Sequence, residues 1–125
     1  MTNSSREGSD SAPHILEAKK GGKRAAAGCF TQGWATQLVV GAVEEGIAKG
    51  WLHEQASAEI LEEFLSGRGR RFYKLKEKTG SVKERKILLE KNGAKIPETL
   101  RSEDGCIEVV PFRRGEAIWR LTWKP

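Results

Sequence analysis

Gly8-Ser9-Asp10-Ser11-Ala12-Pro13-His14 sets a carboxylate, a hydroxyl, a proline and an imidazole within one short run. Asp10 and His14 are spaced four apart, as on one face of a helix, but Pro13 stands between them. Proline lacks the backbone N–H and drives the residue before it out of the helical region, so the stretch is expected to be a turn or loop. A loop that carries a carboxylate and an imidazole together suits acid–base work or the gripping of a substrate. The same residues also suit a plain turn, with Asp10 or Ser11 capping it and His14 in solvent. The residues alone leave both readings open.

Further along stands Ala27-Gly28-Cys29-Phe30, and then Phe64-Leu65-Ser66 running to Arg71-Phe72-Tyr73-Lys74-Leu75. Ile96-Pro97-Glu98 follows, and Val110-Pro111-Phe112 leads through Gly115-Glu116 to Trp119. Taken in order, these blocks resemble the end of a dihydroorotase of the single-function bacterial and fungal type, a member of the amidohydrolase superfamily. Gly8 to His14 is similar to the Gly-Thr-Asp-Ser-Ala-Pro-His segment that ends the family's eighth barrel strand. The likeness runs from about Gly8 to Lys124, or roughly the last third of such an enzyme.

The resemblance implies an α/β fold, the C-terminal part of a (β/α)8 barrel. At 125 residues the chain is too short for a whole barrel, which takes about 250. As an isolated chain it is expected to form a small α+β piece: a helical hairpin followed by a C-terminal β-hairpin. Three regions are expected. Residues 1–7 form a polar N-terminus outside the family pattern. Residues 8–75 hold the end of the last barrel strand, the substrate loop and the terminal barrel helices. Residues 76–125 form an extension with the β-hairpin. Because the family has an apolar strand where Met1 to Glu7 is polar, the start is expected to be that of a truncated or mis-started gene product.

The resemblance also assigns chemistry. The family interconverts L-dihydroorotate and N-carbamoyl-L-aspartate in pyrimidine biosynthesis, with two zinc ions activating a bridging water. Asp10 matches the aspartate that binds metal and shuttles the proton. His14 matches a histidine that holds the substrate carboxylate, and Ala27 an alanine whose main chain meets the substrate. The family's other metal ligands, a His-x-His pair, a carboxylated lysine and two more histidines, have no counterpart among His14 and His53, the two histidines present. One carboxylate does not hold a binuclear zinc centre. The chain alone is therefore expected to bind no zinc and to be inactive.

Composition narrows the remaining choices. No apolar run is long enough to span a membrane, and the N-terminus lacks a secretory stretch. Cys29 and Cys106 fit a reduced, cytoplasmic protein better than a disulfide scaffold, though one disulfide stays open. The net charge of +5 is modest and favours anionic partners weakly. His14 to Arg24, with Lys19, Lys20, Gly21, Gly22, Lys23 and Arg24, lacks the spacing of a phosphate loop and reads as a polar, basic solvated loop. Apolar residues recur at three and four from Gln32 to Lys49, predicting a helix stopped by Gly50. A second helix is predicted from about Gln55 to Ser66.

Gly67 to Lys74 is a basic cluster with two aromatics. It suits nucleic acid, but the resemblance implies that Phe72 and Tyr73 pack the end of the last barrel helix, and that is the preferred reading. Lys86 to Glu90 reads as a short strand that periodicity does not separate from a helix. Ile96 to Asp104 reads as extended chain and turn. Cys106–Phe112 and Ala117–Trp123 are expected to pair as a hairpin, with Trp119, Leu121 and Trp123 on one face and Pro111 at an edge or bulge. Beside the catalytic family, two alternatives remain. One is an interaction module that self-associates or docks on a full-length homologue, because apolar faces evolved against a barrel are association liabilities. The other is a nucleic-acid binder using Arg68, Arg70, Arg71 and Lys74.

Overall fold

Helix α2 (Ala35–Ala48), entered through a 3-10 turn over Gln32–Trp34, is the longest regular element of the computed structural model, which describes residues 8–53, 58–75 and 85–124. Leu38, Val39, Val43 and Ile47 on it are half-buried while Glu44 and Glu45 are exposed, as the apolar spacing predicts. Its end is a Schellman turn. Gly50 takes φ 70° and donates to the Ile47 carbonyl at 2.9 Å, and the Trp51 amide donates to the Gly46 carbonyl at 2.9 Å. Leu52 then folds onto Gly46, where a β-carbon would stand 2.8 Å from Leu52 Cδ1.

Upstream, the stretch read as a solvated loop contains two short turns of helix, α1 (Leu16–Lys19) and a 3-10 turn at Gly22–Arg24. A backbone bond from Ala26 to the Ala18 carbonyl (3.0 Å) closes the loop on itself.

The second helical stretch does not stop at Ser66. From Ala58 it runs as α3 (Ala58–Glu62), widens into a π-helical turn at Glu63–Gly67, and continues as α4 (Arg68–Phe72). The wider turn absorbs Ser66 and Gly67 without ending the helix, and Arg71 reaches back across it to the Glu63 carboxylate. That ion pair holds the Glu63 carboxyl below its ordinary value. Phe64 borders the same hollow as Leu38, Val39 and Ala42. Residues 54–57, which begin the predicted second helix, lie outside the described residues. Phe72 and Tyr73 meet edge to face at 5.0 Å. They remain 56% and 60% exposed, so the packing expected for them is largely mutual.

The predicted pairing of Cys106–Phe112 with Ala117–Trp123 is not the one observed. Among the described residues four strands form, β1 (Lys86–Glu90), β2 (Leu100–Arg101), β3 (Glu108–Val109) and β4 (Arg120–Lys124). β1 pairs antiparallel with β4, placing Leu89 opposite Leu121 and Ile87 opposite Trp123. β2 pairs with β3 around a turn in which the Asp104 carboxylate accepts from Ser102 and from the Cys106 amide.

The turn at Arg113–Glu116 does form, with Arg113 and Gly115 at φ 56° and 76°. However, it closes onto Ile96: the Gly115 amide donates to the Ile96 carbonyl (2.8 Å) and the Ile96 amide to the Glu116 carbonyl (3.0 Å). The chain after the turn therefore continues beside residues 94–96 and β1. On the other side Pro111, with no N–H to give a hairpin ladder, forms a parallel bridge to Phe30 instead.

The core is small. Ile96, 2% exposed, is the one fully buried hydrophobic side chain among the described residues. Polar links tie α2 to the strands around it. Glu44 accepts from Lys91 and from the Trp119 indole (3.2 Å), and Lys91 lies 5.1 Å from the Trp119 ring centre. Arg113 bonds Glu116 at 2.7 Å and approaches Glu45 at 4.0 Å.

Truncating the buried Ile96 to Ala should cost about 2–5 kcal/mol, read from urea unfolding. The same change at Ile87, 39% exposed, should cost far less. A pH effect follows from Glu44, whose carboxyl is held below the ordinary 4.5 chiefly by the Lys91 hydrogen bond and also by Trp119. A depressed folded-state value means that this stabilisation is present above the ordinary carboxylate range and is lost as pH falls through it. The melting temperature of the chain should drop on acidification below about pH 4.5, and Glu44→Gln should flatten that drop.

Candidate functional site

The Gly8–His14 loop lies against Cys29–Gln32, and short side chains hold the two together. Ser11 Oγ accepts the amides of Thr31 and Gln32, each at 3.1 Å. These amides open the 3-10 turn that leads into α2, so Ser11 caps that turn from a distant segment. The Thr31 hydroxyl donates to the Ser9 carbonyl at 2.9 Å, and the Ala12 amide to the Cys29 carbonyl at 2.9 Å. Bonds from Ser9, Ser11 and Ala12 thus flank Asp10 on both sides. Asp10 itself takes φ 41°, a left-handed conformation that aspartate tolerates better than most residues, and it is exposed.

Gly28 lets the second segment approach. It sits at φ 81°, and a β-carbon there would stand 2.7 Å from the Ala12 β-carbon and 3.3 Å from His14 Nε2. No side chain fits this contact. His14 is half-buried against it, while Ala27, one residue earlier, is exposed. The structure therefore brings His14 to the Gly28 backbone and holds Asp10 at the outer end of the same loop. The C-terminal region joins in through the Ile15–Val109 and Phe30–Pro111 bridges and the Phe112 amide, which donates to the Phe30 carbonyl at 3.0 Å.

With the three motif segments assembled, likeness to known proteins can be set beside the geometry. Over 119 residues the chain is 30% identical to the dihydroorotase of Saccharomyces cerevisiae. The chain resembles a dihydroorotase. The match covers 94% of this chain, which spans 30% of the length of that relative. The crystal structure of the S. cerevisiae dihydroorotase in complex with 5-fluoroorotic acid superposes with a TM-score of 0.74 and 30% identity, over 96% of this chain and 30% of that one. The Campylobacter jejuni dihydroorotase superposes at 0.63 with 26% identity, over 96% and 29%. No family model matches the chain. A partial likeness to dihydroorotase thus extends across nearly the whole chain, in agreement with the order of the motifs.

Among the described residues no group of three or more His, Cys, Asp or Glu converges as a metal site. Asp10 as a single carboxylate does not fit a binuclear zinc centre. Cys29 and Cys106 are free, exposed thiols, and His53 is exposed on the chain leaving the Schellman turn. No helix among the described residues is long and apolar enough to cross a membrane.

Two residues that shape the site escaped the sequence reading. Ser11 belongs to the quoted motif, but its capping partners lie about 20 residues away, where no local pattern reveals them. Lys19 was grouped with the solvated basic loop, yet its ammonium lies against the backbone of Ala26–Gly28.

Gly28→Ala should destabilise the chain by about 1–3 kcal/mol through backbone strain and the clash with Ala12, and should shift the His14 imidazole NMR signals. Gly22 has φ 57° but nothing near its would-be β-carbon. Gly22→Ala should show only the smaller backbone cost and leave His14 unmoved.

Proposed function

We propose that this chain carries the aspartate- and histidine-bearing portion of a dihydroorotase-type site and that it does not turn over substrate by itself. The observation that supports this reading best is the seating of Gly8–His14 against Ala27–Phe30, which puts the His14 imidazole beside the Gly28 backbone. The reaction is the reversible hydrolysis of L-dihydroorotate to N-carbamoyl-L-aspartate, in pyrimidine biosynthesis and in the cytoplasm. Water adds to the ring carbonyl, the C–N bond breaks, the oxygen stays with the new carboxylate and the ring nitrogen gains a proton. Asp10 moves that proton between the attacking water and the departing nitrogen. His14 holds the substrate's carboxylate, and the Ala27 main chain orients the ring. Zinc belongs to the family chemistry, but the donors described here do not fit it, which is why the chain alone is assigned no turnover.

The test uses the chain and a hybrid. The isolated chain, supplied with zinc and dihydroorotate, should show no loss of substrate. Residues 8–124 exchanged into the matching region of the S. cerevisiae enzyme should support turnover. In that hybrid Asp10→Asn should lower kcat by a factor of about 10² to 10⁴, while His14→Ala should act mainly on KM. Activity that survives Asp10→Asn would sink the assignment.

A second reading, a module that self-associates or docks on a full-length homologue, is favoured by the exposure of Trp51 (73%) and Trp123 (68%). Sedimentation of the same preparations decides it. A chain that stays monomeric, and leaves the sedimentation of added dihydroorotase unchanged, removes this reading.

A further inference from the structure

The geometry points to Lys19 as a positioning residue that holds the Ala26–Gly28 backbone and, through it, the presentation of Ala27 to a ligand. This inference rests on the reading of Ala27 as a substrate contact. Its structural half stands apart from that reading.

Lys19 Nζ donates to three successive carbonyls, Ala26 at 2.8 Å, Ala27 at 3.3 Å and Gly28 at 2.5 Å. An ammonium has three donors and no acceptor, so three converging carbonyl oxygens match its capacity. Bonds from a charged donor are stronger than neutral ones. The base of the lysine is itself held. Lys19 ends α1, its amide donates to the Ile15 carbonyl at 3.3 Å, and Ile15 bridges Val109. The Ala26 amide returns to the Ala18 carbonyl, so both ends of the loop are closed beside the ammonium.

Peptide planarity carries this to the site. In a trans peptide the N–H points opposite to the carbonyl of the same unit. Turning the carbonyls of Ala26, Ala27 and Gly28 toward Lys19 turns the amides of Ala27, Gly28 and Cys29 to the other side. Three carbonyl dipoles gathered on one side repel one another unless a cation sits among them. Without the ammonium the peptide planes are free to rotate, and the amide of Ala27 loses its set direction. Gly28, at φ 81°, offers little resistance of its own to such rotation. The residue acts through the backbone and has no part in the chemistry.

The experiment is backbone amide exchange by NMR on the full chain and its variants. Lys19→Met keeps the length and removes the charge and donors. It should speed exchange about tenfold or more at the Ala26 amide, which opens the clamped segment, and at the Ala12 amide, whose acceptor Cys29 follows it. The Ile96 and Ile118 amides, bonded to Glu116 and Ala94, should keep their rates, and Lys19→Arg should restore much of the protection. Unchanged exchange at Ala26 and Ala12, or an equal rise at Ile96 and Ile118, overturns the proposal.

If Lys19→Met does not fold, the unmutated chain decides. Its Lys19 ammonium should give a slowly exchanging nitrogen signal coupled to the carbonyl carbons of Ala26 and Gly28, and a freely exchanging ammonium overturns the proposal. None of these readouts depends on turnover. Failure of the clamp therefore leaves the dihydroorotase reading standing, and failure of that reading leaves the clamp.

Discussion

The close approach of Gly28 to Ala12 and His14 is the constraint from which the site follows. A positive φ and the lack of a side chain at Gly28 let two backbones come within the width of a β-carbon. At that separation the Ala12 amide reaches the Cys29 carbonyl, and Ser11 reaches the first amides of the turn into α2. Put any β-carbon there and the Gly8–His14 loop must lift away, taking with it the cap on that turn. The orientation of the site and the start of the longest helix are therefore one problem with one solution.

Hydrogen bonds and ion pairs cross-link the remainder of the fold around a small buried core. With Ile96 as the one fully buried hydrophobic side chain among the described residues, the hydrophobic contribution is small. Glu44, Lys91 and Trp119 cross-link α2 to the strands, and Arg113 ties the Arg113–Glu116 turn to Glu45. These links are largely exposed to solvent, and such pairs stabilise weakly. Large exposed surfaces such as Trp51 and Trp123 agree with the partial coverage of the dihydroorotases that the chain resembles.

For function, the arrangement separates what is local from what must be assembled. A loop carrying Asp10 and His14 against a glycine backbone is complete within these residues. Among the described residues no group of three or more His, Cys, Asp or Glu converges around Asp10. Lys19 bridges these levels: it belongs by sequence to a basic loop, and by position to the backbone that His14 faces.

Much was legible in the chain itself. Pro13 excluded a helix between Asp10 and His14, the apolar spacing placed α2, and Gly50 marked its end, because each is a local consequence of backbone sterics or periodicity. The ordered motifs pointed to the dihydroorotase family. Strand pairing was not legible. Residues 106–112 and 117–123 have the pattern of a hairpin with a turn between them, and the turn forms. However, two hydrogen bonds with Ile96 hold the second arm beside Lys86–Glu90, while the first arm pairs with Leu100–Arg101 and, at Pro111, which has no N–H, bridges Phe30. The roles of Ser11 and Lys19 were hidden in the same way. The sequence by itself determined the local conformations and the family likeness. Only the tertiary structure decided which strands pair and which side chains hold the loop, because those outcomes depend on partners that no local pattern names.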